Sequence, residues 1–253
     1  MRLSPPLVAR LTALAVLLAF LVRPEAFAPL LAPLTRNGAP AIYNQGSLMA
    51  LTIAHLTTVA VAIGAATVVA IALAVFVTRP AGAEFLALSR SIVNIGQTFP
   101  PVAVLALAVP VVGFGEKPTI IALFLYGLLP IFENTLAGLT GLPGNVVEAA
   151  RGMGMTDRQR LLGVELPLAL PVILVGVRLS VVIALATATI GSTVAAKGLG
   201  EVIIAGLLSN NLAFVVQGGL VVGVLAILLY DALSALERAA ARRAGRVTRP
   251  ETA

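Results

Sequence analysis

An all-α bundle of about six membrane-spanning helices is the fold this sequence predicts, on three observations. The 253 residues are 59 % hydrophobic and only 11 % charged, with a mean hydropathy of +1.03. A soluble domain carries about 25 % charged residues. Apolar runs at 7–22, 48–77, 91–112, 119–139, 168–190 and 213–236 approach or exceed the roughly 20 residues that cross a bilayer as helix. The basic residues also segregate. Arg2, Arg10, Arg79, Arg90, Arg151, Arg158, Arg160, Arg238, Arg242, Arg243, Arg246 and Arg249 fall on one side of this layout. Arg23, Arg36, Lys117 and Lys197 fall on the other, with Arg178 inside a span. Positive charge marks the cytoplasmic side. The layout therefore predicts a multi-pass inner-membrane protein with both termini and the 141–167 loop in the cytoplasm.

Residues 1–46 read as an N-terminal span and an external linker. The run 7–22 is short for a span, and Ala26-Phe27-Ala28 resembles a signal-peptidase site. Pro29 directly after that site argues for a retained span. Pro24, Pro29, Pro33 and Pro40 make 24–45 an external segment expected to lie along the membrane surface. A transmembrane domain follows at 47–237. The run 48–77 is longer than a span requires, which puts its start, with His55, at the outer interface as a solvated histidine.

The third run, 91–112, carries Asn94, Gln97 and the pair Pro100-Pro101. Two prolines remove backbone donors and kink a helix. In lipid the freed carbonyls need partners, so the break should face protein or a water-filled cavity. Asn94 and Gln97 share a helix face, read here as lining a path through the membrane. After a tight external turn at 113–118, the run 119–139 returns inward and ends with Glu133, Asn134 and Thr135.

The 141–167 loop is the polar interruption in the apolar chain. It reads as two short helices joined at a glycine. Asn145 is placed to cap the first, with Glu148 as its box partner, and Thr156 caps the second with Gln159. Gly152 and Gly154 allow the turn between them, and Pro167 is expected to end the second helix. The result is a rigid knob suited to a pocket on a soluble partner.

Arg178 follows Pro167 by about 16 Å of helix. It therefore sits near the midplane, where exposure to lipid costs about 2.5–3.5 kcal/mol, and it must face the bundle interior. Glu133 comes within reach of similar depth. Either the two pair across neighbouring spans, or Glu133 reaches the inner interface and Arg178 faces water. The segment 192–211, with Lys197, Glu201 and Asn210-Asn211, is too polar for a span and fits a short external helix dipping part-way. The last span, 213–236, offers Gly219 and Gly223 as a contact face, and 238–253 is a basic cytoplasmic tail.

Several function classes are disfavoured. With no cysteine there is no disulfide or thiolate metal site, and a single histidine makes a metal or catalytic cluster implausible. Gly113-Phe114-Gly115-Glu116-Lys117-Pro118-Thr119 has the ingredients of a phosphate loop at the wrong spacing, so no nucleotide cofactor is expected in this chain. No catalytic residues and no metal are assigned. The net charge of +6 reflects arginines beside spans rather than a nucleic-acid partner. A secondary transporter would need coupling-ion carboxylates near the midplane, and only Glu133 and Asp231 approach that description.

Glu148-Ala149-Ala150, Gly154, Val164 and Leu166-Pro167 together resemble the EAA loop of ABC importer permeases, with Val in place of the usual Ile. Gly96-Gln97-Thr98-Phe99-Pro100, Tyr126-Gly127-Leu128-Leu129-Pro130-Ile131, Asn134-Thr135 and Gly198-Leu199-Gly200 are similar to the permeases of osmoprotectant importers. That family often carries Arg where this chain has Glu133. The resemblance implies a five-helix type I importer core preceded by one span. It also implies a second permease chain, identical or paralogous, in a membrane-lipid setting. ATP would be bound by partner ATPase subunits docked on the loop, and an extracytoplasmic solute-binding protein would deliver the solute. The cargo would be a quaternary amine such as glycine betaine or choline, or another small solute such as an amino acid. Asn94, Gln97, Pro100, Glu133, Asn134 and Arg178 would line the path. Quaternary amines are held by aromatic cages. With no Trp, three Tyr and nine Phe in this chain, selectivity is expected to reside in the binding protein.

Overall fold

The structure, a computed structural model, describes residues 5–36 and 38–245. Arg2, Arg246 and Arg249 lie outside the described residues. Among the described residues every regular element is helical: α1 (Pro5–Val22), α2 (Ala28–Leu31), α3 (Leu48–Val77), α4 (Leu86–Thr98), α5 (Pro101–Val112), α6 (Glu116–Thr140), α7 (Gly144–Gly152), α8 (Asp157–Arg160), α9 (Leu166–Ala188), α10 (Gly200–Leu208) and α11 (Leu212–Arg243). Among the described residues four helices are long and apolar enough to cross a membrane, or up to six if each of two bent pairs counts as one span. The fold is the predicted all-α membrane bundle.

The apolar helices hide their few polar groups within themselves. Thr52, Thr57 and Thr67 on α3 each donate the hydroxyl to the carbonyl four residues back, at 2.7–2.8 Å. A threonine bonded this way presents only its methyl outward, which suits a lipid or apolar neighbour.

The chain divides into two compact units. One comprises the chain through Ala62, Pro100–Leu123 and Val182–Leu229; the other comprises Ile63–Phe99, Phe124–Val181 and the chain from Tyr230. In the first, Leu17, Leu21, Tyr43, Leu48, Leu199, Val202, Phe214 and Val221 form the core. Residues 40–43, within the proline-rich segment, are tied to the chain's own helices. Ile42 and Tyr43 are buried. Asn211 donates to the Pro40 carbonyl at 2.9 Å. Gln217 donates to Ala41 and accepts from the Tyr43 N–H. Two side chains far along the sequence thus supply the backbone partners that an irregular segment needs.

His55 is also corrected. It is 1 % exposed, with Nε2 3.0 Å from the Leu185 carbonyl and the Gly198 turn packed on its ring. The fit at Gly198 is tight: a Cβ would lie 3.0 Å from His55 Nδ1, and the ring would have to shift slightly. The segment after α9 is a 3-10 turn at Thr189–Val194 followed by the nine-residue α10, short as expected but apolar except for Glu201. On α11 the close contact is made by Gly218, where a Cβ would meet Ile203 at 2.6 Å. Gly219 and Gly223 face open space within this chain.

In the second unit Leu139, Ala169 and Ile173 pack with Ile71, Val75, Leu166 and Val177. This unit carries the polar loop and most of the singled-out polar side chains.

A candidate coupling loop and the polar positions beside it

The loop is two short helices set by local chemistry. Pro143, in extended geometry, starts α7 at Gly144, so Asn145 falls inside the first turn and caps nothing. The box expected from Asn145 and Glu148 is absent for that reason. α7 ends at Gly152, and Gly154 turns the chain at φ +77°. Only glycine takes that geometry without strain. Thr156 then caps α8: its hydroxyl accepts from the Gln159 N–H while Gln159 accepts from the Thr156 N–H. Glu148 and Ala149 are exposed, Ala150 is buried, and Met153, just past the end of α7, is 71 % exposed.

Pro167 does not end the second helix. A π turn at Leu161–Glu165 carries α8 into α9, and Pro167 is the second residue of α9. The Leu166 N–H bonds to Leu161, one residue further back than in an α-helix. That wider turn shifts the register just before the proline, where the missing donor and the bulky ring would otherwise break the ladder. Val164 and Leu166 are half-buried on either side of the buried Glu165.

Glu165 anchors the loop. Its Oε1 accepts from Arg160 Nε at 2.7 Å, and its Oε2 accepts from Arg79 at the end of α3. Arg160 also reaches Asp157 at 2.8 Å. Arg160 and Glu165 are both 6 % exposed. Both oxygens of a buried carboxylate are therefore neutralised by guanidinium groups, the arrangement that makes burial of charge tolerable. Beside this cluster lies a cavity of about 810 Å³ lined among others by Arg79, Thr140, Val147, Arg151 and Met155. Sequence reading gave Arg79 and Arg160 only an orienting role. The signal that could have found them was Glu165 itself, an acid in the apolar run before Pro167.

The structure places the path candidates as follows. Gln97 donates from Nε2 to the Tyr126 carbonyl at 2.9 Å. Asn94 and Pro100 are exposed. Asn134 donates to Pro130 at 2.8 Å, within its own helix. Glu133 and Arg178 do not pair. Glu133 is held by Arg90 of α4, at 2.9 and 3.2 Å. Arg178 meets Glu237 at 2.8 Å and Ser234 at 2.7 Å, and lies 4.7 Å above the Tyr230 ring. The reason is helix packing. Gly96 lets α4 touch α6, since a Cβ there would lie 2.3 Å from the Leu125 carbonyl, and Arg90 of α4 bonds Glu133 of α6. Arg178 instead faces α11. Among the described residues no group of His, Cys, Asp or Glu is arranged to hold a metal ion.

Residues 66–245 match the family described as binding-protein-dependent transport system inner membrane component. The chain is 40 % identical over 186 residues to the osmoprotectant import permease protein OsmY of Salmonella typhimurium, covering 74 % of this chain and 79 % of that one. It is 39 % identical over 196 residues to the choline transport system permease protein OpuBB of Bacillus subtilis, covering 77 % and 89 %. Among solved structures, an inward-facing form of the MetNI methionine ABC transporter matches with a TM-score of 0.67 at 24 % identity, over 74 % of this chain and 93 % of that chain.

Proposed function

The chain belongs to the binding-protein-dependent transport system inner membrane components and is a permease of an ABC importer, and on that premise we propose that it carries a quaternary-amine osmoprotectant such as glycine betaine or choline. Membership implies partner ATPase subunits, a binding protein and a second permease chain. The observation that carries the solute is the 40 % identity over 186 residues to an osmoprotectant permease, with a choline permease close behind.

The loop around Glu148 is read as the element that docks in the ATPase, with Ala149, Ala150, Gly154, Val164, Leu166 and Pro167 shaping it. ATP binding and hydrolysis belong to the partner. This chain's part is mechanical. A push on exposed α7 passes through the Gly154 turn and the capped α8 into Glu165, and from there along Arg79 to α3 and through the π turn to α9. A loop tied by a buried carboxylate moves as a lever rather than a flexible linker. Gln97, Glu133, Asn134 and Arg178, with Asn94 and Pro100, are read as bordering the solute path. Both termini are placed in the cytoplasm, on the basic residues beside the spans.

The test is uptake into vesicles holding the permease with its own ATPase and binding protein. Labelled glycine betaine or choline should accumulate with ATP inside. Uptake of methionine, but not of either quaternary amine, overturns the solute assignment.

A further inference from the structure

α6 carries Pro130 in its interior. A proline has no N–H, so the carbonyl four residues earlier, that of Tyr126, loses its helical donor. At this carbonyl Gln97 Nε2 arrives from α4, at 2.9 Å. The next break lies on α4 itself, which ends at Thr98 before Pro100-Pro101. The Phe99 carbonyl there accepts from the Tyr126 hydroxyl. One residue, Tyr126, thus takes a donor at its carbonyl from α4 and gives a donor from its ring to α4. The backbones are in contact beside it, through Gly96 and the Leu125 carbonyl.

We propose that Gln97 and Tyr126 are positioning residues for transport, a reciprocal latch in which the side chain of each proline-broken helix supplies the backbone partner missing from the other. α4 and α6 are then joined and move together. The third helix packed at this point adds to the joint rather than competing for it. Ser180 of α9 donates to the Gly127 carbonyl at 3.0 Å, and Gly176 lies against the Pro130 carbonyl, where a Cβ would come within 2.6 Å. Both bonds are part-buried, and a carbonyl left unsatisfied there is costly wherever water does not reach it. This inference rests on the importer reading only for its link to transport.

A double-mutant cycle on the full complex tests it, with Gln97→Leu, Pro130→Ala and both together. Gln97→Leu is expected to lower the unfolding midpoint of the purified complex by about 2–4 °C and to reduce uptake. Pro130→Ala restores the N–H that Tyr126 lacks, so Gln97→Leu made on that background should have little further effect on either readout. Tyr126→Phe serves as the control. It removes the donor to Phe99, a different carbonyl, and Pro130→Ala should not rescue it. If Gln97→Leu is as damaging beside Ala at 130 as beside Pro, the latch is overturned, and Gln97 acts through something other than the Tyr126 carbonyl. The unfolding midpoint reads the latch whatever the solute. Rescue of the midpoint with no quaternary-amine uptake in wild type would leave the latch standing and sink the solute assignment.

Discussion

Arg160 and Glu165 close on each other at 2.7 Å across a five-residue π turn, and Arg79 takes the second oxygen of the same carboxylate. The turn and the ion cluster explain one another. The π turn accommodates Pro167, and the cluster holds the turn's two ends together. Glu165→Gln keeps the volume but leaves two guanidinium groups facing one neutral amide. Two ion pairs of a buried carboxylate are lost together, so the unfolding midpoint should fall by more than the about 2–4 °C that a single 1 kcal/mol interaction shifts a chain of this size. ATP hydrolysis by the complex should also respond less to solute-loaded binding protein. Full stimulation of hydrolysis in Glu165→Gln would show that the cluster transmits nothing.

The loop itself is tested by Glu148→Arg with Gly154→Pro. Gly154 sits at φ +77°, which a proline ring locked near −65° does not reach. The wild-type protein should retain an ATPase subunit on purification from its own membranes. The double variant should lose it while still inserting in the membrane. Retention of the ATPase by the variant at wild-type levels refutes the docking role of this loop.

What the sequence made legible follows from how local each cause is. The helix at Leu48–Val77 and the Thr156 box were readable because hydropathy and a four-residue capping pattern act within their own segment. Pro143 hid the true start of α7, since a proline sets the helix start one residue before the polar side chain that looked like a cap. His55, Asn211 and Gln217 were misread or passed over because their partners lie far along the chain, and no pattern announces a carbonyl waiting 130 or more residues away. Depth along a helix put Glu133 and Arg178 at similar levels but said nothing of which neighbour each faces, Arg90 for the one and Glu237 for the other.

Two glycines should behave in opposite ways. At Gly96 an added Cβ lies 2.3 Å from the Leu125 carbonyl, a backbone atom on another helix that has no way to give. At Gly152 nothing lies within 4 Å and the residue ends α7. Gly96→Ala is expected to push α4 from α6 and to lower the yield of folded protein along with transport. Gly152→Ala should leave folding unchanged within about 0.5 kcal/mol. Equal yields of the two variants from membranes would show that α4 and α6 are not in the contact described.

The charges on the spans give the last test. Arg178 shares an ion pair with Glu237 and a ring contact with Tyr230, while Glu133 is served by Arg90. Residues that touch couple energetically, and residues without shared partners add. Arg178→Gln and Glu237→Gln should therefore be non-additive in the unfolding free energy, by about 0.5–3 kcal/mol. Arg178→Gln and Glu133→Gln should add within about 0.5 kcal/mol. Arg178→Lys should rescue only in part. Lysine keeps the charge for Glu237, but it lacks the planar group that lies on Tyr230 while also bonding Ser234. Strong coupling between positions 133 and 178 would show that the two side chains share a partner, against the separate pairings described.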